Sequence, residues 1–237
     1  MKSIRTARVA LLASAFALGS ALAAAVNPQL DEAMSIDGLK RLDTKQVDLA
    51  YVLPGASLAA YKRIMLDPVD VSFHKDWNPE RTGSRLKLSA QERENIRTGV
   101  AKVVEEEFTR TLTAKNAYQI TKDAAPDVLR VKVKILNLYA NAPDTGAPGM
   151  SRTFVVSAGQ MTLLLELYDS ETGAVLARVV DRQEGRNAGR MQISNSVMNA
   201  GEAAQIANGW ARILKKALDK AREPVKSEPV KSEPAKK

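Results

Sequence analysis

The chain has 237 residues, 45% hydrophobic and 26% charged, with 5% aromatics and no cysteine. Without cysteine there is no disulfide, no thiolate metal site, no cysteine nucleophile and no residue to carry a lipoprotein's lipid. Of the formal charge of +8, three come from Lys2, Arg5 and Arg8 and a net two from residues 222–237, so the middle of the chain carries only about three, too few for a nucleic-acid footprint.

The basic start is followed by the apolar run 9–19 and then by Ser20-Ala21-Leu22-Ala23-Ala24-Ala25, an A-x-A pattern. Residues 1–23 therefore read as a secretory signal peptide, cleaved after Ala23, with Ala25 the second choice. The run is too short for the ~20 residues of a spanning helix. The mature chain is expected in the periplasm, neither lipidated nor membrane-spanning. Residues 24–59 read as an extended arm with at most one helical turn, punctuated by Asn27-Pro28, Asp37-Gly38 and Pro54-Gly55 and anchored by Tyr51, Val52 and Leu53.

Residues 60–221 are expected to form one α+β domain. The stretch 61–73 reads as a strand whose alternation shifts phase at Pro68, a bulge or an edge. Residues 74–87 read as a polar loop containing Trp77. Ser89 and Glu92 form a capping box, and Ile96, Val100, Val103, Val104, Phe108 and Leu112 give the following helix an apolar face. In 127–139, Leu129, Val131, Val133 and Ile135 alternate with Arg130, Lys132 and Lys134, a strand with one solvated side. Thr153 to Ser157 reads as a short strand leading into a hairpin over 160–183. The hairpin's turn is marked by Gly173 and capped by Asp169 and Ser170. Leu164 faces away from Met161, Leu163, Leu165 and Leu167, so both sides of that strand are expected to be at least partly covered. A last helix is expected from an Asn199 cap, with Trp210 as its main knob among Ala203, Ile206, Ala207, Ile213, Leu214, Ala217 and Ala221. The expected fold is an antiparallel or mixed sheet of four to five strands under two amphipathic helices, in the order β-α-β-β-β-α. Residues 222–237 repeat Glu-Pro-Val-Lys-Ser with a proline every fifth residue. That pattern reads as a disordered, solvated tail able to touch anionic envelope surfaces weakly.

Several blocks in one order resemble the bacterial envelope family catalogued as domain of unknown function 3313. They include Asp48-Leu49-Ala50-Tyr51-Val52-Leu53-Pro54-Gly55, Tyr61-Lys62-Arg63-Ile64-Met65-Leu66-Asp67-Pro68-Val69, Lys75-Asp76-Trp77-Asn78-Pro79, Asn141-Ala142-Pro143-Asp144 and Ser151-Arg152-Thr153-Phe154-Val155. The similarity runs over about residues 35–218. Many members of that family look like lipoproteins, but lipidation does not carry over to a chain without cysteine. The resemblance implies an envelope location and no catalytic residues.

His74 is the only histidine. On a strand Asp70, Ser72 and His74 share a face, with Asp76 just beyond, so a carboxylate–histidine acid/base set is conceivable there. One imidazole without cysteine makes a poor transition-metal site, and no metal or cofactor is expected. No Gly-x-Ser-x-Gly elbow or phosphate-binding glycine loop is present. The favoured reading is a non-catalytic periplasmic interaction module that binds another envelope component. Its candidate binding residues are Asn141, Asp144 and Arg152 around the loop 141–151, and Arg186 and Arg190 in the loop 184–198. The alternative is a periplasmic hydrolase of cell-wall or lipid material using Asp70, His74 and Asp76.

Overall fold

The computed structural model describes residues 28–77, 89–140, 153–155, 159–184, 192–194 and 196–223. The alternation in the central segment sets the frame. In β6 (Val128–Tyr139), Leu129, Val131, Val133 and Ile135 are fully buried while Arg130 is exposed. The alternation breaks at Asn137, which takes a left-handed φ of 54°. Pairing on both sides of the strand slips at this level. The extra residue is a bulge, and it turns Leu138 inward where strict alternation would have buried Asn137.

β8 (Gln160–Asp169) and β9 (Val175–Glu184) form the expected hairpin, and β8 runs antiparallel to β6. Gly173 has φ 70°, as a turn of this length needs. Asp169 Oδ1 caps the turn by accepting from the amides of Glu171 and Thr172 at 3.2 and 2.8 Å. Ser170 does otherwise: its hydroxyl bridges to the backbone of Ala125 and ties the turn to the loop before β6.

On the far side of β6 lie β3 (Arg63–Leu66) and β4 (Asp70–Phe73), both parallel to it. The stretch expected as one strand is thus two, broken around Pro68, whose nitrogen has no hydrogen to donate. β5 (Gln119–Ile120) extends the sheet beyond β3, and β1 (Lys40–Arg41) and β2 (Leu49–Val52) extend it beyond β9. The sheet is mixed and has eight strands rather than four to five. The arm supplies two of the additional strands and the split at Pro68 another. β5 is too short for periodicity to register. β7 (Thr153–Val155) does not feed the hairpin sheet but pairs with β10 (Gln192–Ser194), which falls inside the stretch read as a polar loop.

One face of the sheet carries α2 (Ala90–Thr113) and α3 (Ser196–Arg222). The capping box starts α2 as expected: Ser89 Oγ accepts from the Glu92 amide at 3.2 Å, and Glu92 Oε2 accepts from the Ser89 amide at 2.7 Å. Val104, Phe108 and Leu112 are fully buried from that helix. Each such side chain contributes about 1.5–3 kcal/mol by leaving water. α3 begins three residues before Asn199, which is therefore inside the helix and not its cap. Asn marks a helix start only where the chain before it is not already helical. Ala203, Ala207, Trp210 and Leu214 are buried as expected, Ala217 is exposed, and Ala211 and Leu218 join the core unforeseen.

The opposite face is covered in part by α1 (Pro28–Ser35) and the 3-10 turn Ile36–Gly38 after it. The eight-residue α1 is longer than the single turn expected. Met34 and Leu39 pack with Leu49 and Tyr51 against Leu164, Val175 and Val180. The two-sided cover expected for Leu164 is present, and Tyr51 is a real anchor at 1% exposure.

Candidate functional site

Among the described residues, three places gather polar side chains with chemical potential. The first is the corner after β4. Bulging of β4 against β6 brings Phe73 opposite Leu138, and the chain then turns through His74 to Trp77. Trp77 is not in a solvated loop. It is buried, stacks on Phe73 at 4.2 Å between centroids, and donates its indole N–H to the Ala140 carbonyl at 3.0 Å. His74 lies edge-on to Tyr139 at 6.3 Å. Its Nδ1 accepts the Asp76 amide at 3.1 Å, and the Asp76 carboxylate stands 3.9 Å away. His74 and Asp76 are thus together, through a local turn. Asp70 is exposed on β4, and the interaction it shows is electrostatic, with Arg97 of α2. Among the described residues, no group of three or more His, Asp or Glu side chains is placed to hold a metal ion.

The second place is the sheet face under the arm. Glu166 is only 8% exposed and accepts from Arg178 Nε at 3.0 Å, with Lys134 Nζ at 3.8 Å on its other side. Arg178 also donates to the Ile36 carbonyl at 3.0 Å and to Asp37 at 2.7 Å. Burial works against the Arg178 charge, but the Glu166 and Asp37 carboxylates outweigh it and raise its pKa. Burial, reinforced by Glu166, likewise raises the Tyr168 phenol. The alternating bases of β6 are largely answered by acids: Arg130 grips Asp67 through Nε at 2.9 and 3.0 Å, and Lys134 meets Glu166. On the helix-covered face, Asp181 is 2% exposed and accepts from Trp210 Nε1 at 2.7 Å, the Asp48 amide at 3.1 Å and Gln183 Nε2 at 2.8 Å. Sequence reading missed this carboxylate. The available signal was an acid at an inward position of an alternating strand, which demands partners.

The third place is an open cleft of about 780 Å³ where β3, β5 and the end of α3 meet. Lys62, Arg63, Asn116, Gln119, Asp127 and Arg222 line it. Arg63 grips Asp127 with a two-pronged contact, Nε to Oδ2 at 3.0 Å and Nη2 to Oδ1. That contact, with a smaller help from nearby Lys62, holds the Asp127 carboxyl below the usual range. Arg222 donates to the Tyr61 and Ala117 carbonyls at 2.6 and 3.4 Å, and its guanidinium lies 4.1 Å over the Tyr118 ring. Asp219 beside it is engaged by Lys215 at 2.6 Å and by the Tyr118 hydroxyl at 3.0 Å. Nothing in the sequence pattern joined Lys62 to Arg222, because the fold alone brings them together.

Asn141, Asp144, Arg152, Arg186 and Arg190 all lie outside the described residues.

The geometry defines a class: a mixed α+β sheet with a helix pair on one face and an N-terminal segment on the other. The chain belongs to the family described as "Protein of unknown function (DUF3313)", whose model matches residues 31–214. No curated protein matches it by sequence. Among solved structures, it is similar to the protein XCC0632 from Xanthomonas campestris, with 8% identity, 71% of this chain and 90% of that chain covered, and a TM-score of 0.39. It is similar also to the PelC dodecamer from Paraburkholderia phytofirmans, with 10% identity, 68% and 96% covered, and a TM-score of 0.33. The hypothetical protein CT253 from Chlamydia trachomatis gives 10% identity, 68% and 96% covered, and a TM-score of 0.33. Likeness at this level carries no statement about activity. No helix among the described residues is long and apolar enough to cross a membrane.

Proposed function

We propose that this chain is an exported envelope protein that works by binding another envelope component and not by catalysis. The basic start, short apolar run and A-x-A pattern support its export. The observation that carries the non-catalytic reading is the engagement of the one imidazole. Nδ1 of His74 is the acceptor for the Asp76 amide in its own turn, and the ring lies against Tyr139. A general base needs that lone pair directed at a substrate. Partner contact is assigned to the segments 141–151 and 184–198, with Asn141, Asp144, Arg152, Arg186 and Arg190 as the contact residues, and residues 223–237 add weak attraction to anionic surfaces.

Photo-crosslinking from positions in both segments in living cells, read by mass spectrometry, tests the binding role. A discrete envelope partner is expected, and recovery of none from either segment counts against the proposal. His74→Ala tests catalysis. An envelope phenotype unchanged at normal abundance is expected. Its loss with folding and abundance intact would restore the hydrolase reading centred on Asp70, His74 and Asp76.

A further inference from the structure

We propose that the cleft between β3, β5 and the end of α3 binds a phosphate group. This goes beyond the partner-binding role and stands or falls independently of it. Its first support is the balance of donors and acceptors. Of the six polar side chains lining the cleft, Lys62, Arg63, Asn116, Gln119 and Arg222 all carry N–H donors. The only carboxylate, Asp127, is already gripped by Arg63. A cleft rich in donors with its acceptor engaged is electrostatically unfinished, and an oxyanion completes it.

The second support is an excess of cations: Lys62, Arg63, Lys215 and Arg222 share the two carboxylates Asp127 and Asp219. Neither Lys62 nor Arg222 makes an ion pair with a carboxylate among the described residues. Asp219, the acid that feels Arg222, is engaged by Lys215. Arg222 is nevertheless held in place, by two backbone carbonyls and the face of Tyr118. Those contacts orient the guanidinium, and Asp219, shared with Lys215, offsets its charge only in part. The cation is preorganised, so little side-chain entropy is lost when an anion arrives. Lys62, exposed at the rim, supplies a mobile second charge.

The third support is size and openness. At about 780 Å³, the cleft is far larger than one tetrahedral anion, and it is open to solvent. It therefore suits a phosphate carried on something larger as well as a free phosphate ester. The chemistry recognised is the same in both cases. Residues 224–237 follow Arg222 closely in the sequence and carry Lys226, Lys231, Lys236 and Lys237, so these lysines are the obvious competing explanation for any anion binding.

The test uses the full chain in two arms. Inorganic phosphate is titrated while amide and side-chain N–H shifts of residues around the cleft are followed by NMR. In parallel, co-sedimentation is measured with vesicles of phosphatidylglycerol in phosphatidylcholine, with pure phosphatidylcholine as the blank. Saturable shifts at Lys62, Asn116 and Gln119 are expected. Phosphate binding without vesicle binding assigns a soluble phosphate ester, and vesicle binding that responds to Lys62→Gln assigns a lipid headgroup. Lys62→Gln should weaken the response about threefold or more, since it removes one exposed charge. Arg222→Gln should weaken it about tenfold by removing the oriented one. Arg222 also ties the end of α3 to the sheet, so its variant is read only beside a matched circular-dichroism melt, and Lys62→Gln keeps the test open if that variant unfolds. A third variant, Lys226→Gln, Lys231→Gln, Lys236→Gln and Lys237→Gln together, neutralises the tail. It should leave the phosphate shifts in place. The proposal is overturned if neither probe binds, if Lys62→Gln binds as well as the parent, or if the tail variant alone abolishes binding.

Discussion

Asn137 shows how much one backbone angle decides. Its φ of 54° lies where side chains are uncommon and where Asn is among the few that settle. The bulge it makes sets which residues of β6 face the helices beyond Ile135. Asn137→Gly should therefore be neutral or slightly stabilising in urea denaturation, and Asn137→Val should lose about 1–2 kcal/mol. Equal stability of the two variants would mean that the bulge does not depend on this angle. A second prediction at this scale concerns alkaline pH. Tyr61 donates to Asp169 at 2.8 Å, and burial first, then this bond, pushes its phenol up to about 12. Burial and the bond to Asp219 bring Tyr118 to about 12 as well. A phenol whose folded pKa lies above its unfolded value of about 10 contributes stability fully below pH 10. That contribution is lost as pH rises from there toward 12. Phenolate absorbance should show Tyr61, Tyr118 and Tyr168 titrating late in the folded protein, and Tyr61→Phe should remove one of these late titrations. Ordinary titration of all five tyrosines near pH 10 would contradict this. At the acid end the same pair works in reverse. Amides of the turn, led by Thr172, and then the Tyr61 hydroxyl, hold Asp169 below the carboxylate range, so its contribution persists above the unfolded pKa of about 4 and fades only below it.

Among the elements, α3 depends on a polar anchor inside an apolar stripe. The Trp210 indole fills the core and also supplies one of three hydrogen bonds to buried Asp181. Trp210→Phe preserves most of the ring area and removes that donor. It should destabilise by about 1.5–3 kcal/mol in chemical denaturation, the range for a bond to a charged group. A loss below about 0.5 kcal/mol would mean that Asp181 is satisfied without it. This pairing also shows what the sequence could and could not reveal. The hairpin, β6, the Ser89–Glu92 box and the Trp210 knob were legible because each is a local pattern: alternation, a cap, a helical stripe. The break at Pro68 was half legible, since proline announces an interruption but not whether the strand resumes. β5 and β1 were not legible, because two residues carry no period. The burial of Trp77 was hidden by the polar residues around it, since its partner Phe73 and its acceptor Ala140 meet it only through the bulged corner. Lys62 and Arg222 stand 160 positions apart and share a cleft only through tertiary folding.

Over the whole molecule the sheet is most continuous at its centre and thins toward both ends. β6, β8 and β9 are ten or more residues long, whereas β1 and β5, the terminal strands, have two apiece. Short terminal strands leave little open ladder for another chain to join. β2 sits between these regimes, with long β9 on one side and short β1 on the other. Amides of Ala50 and Val52 should exchange with deuterated water ahead of those of Val131 and Val133, because opening the arm need not open the centre. Matching protection at both places would show that arm and centre open as one unit. The pairing of Leu49 with Val180 has a further consequence for the order in which the protein is made. A ribosome completes β2 at residue 52, yet β9 is finished only at residue 184. Through that interval Leu49 and Tyr51 have only the two-residue β1 beside them, and the face they will share with Leu164 does not exist. The first strands synthesised must wait for nearly the last before they join the rest of the sheet, so its closure is reserved for a chain that has been delivered almost whole.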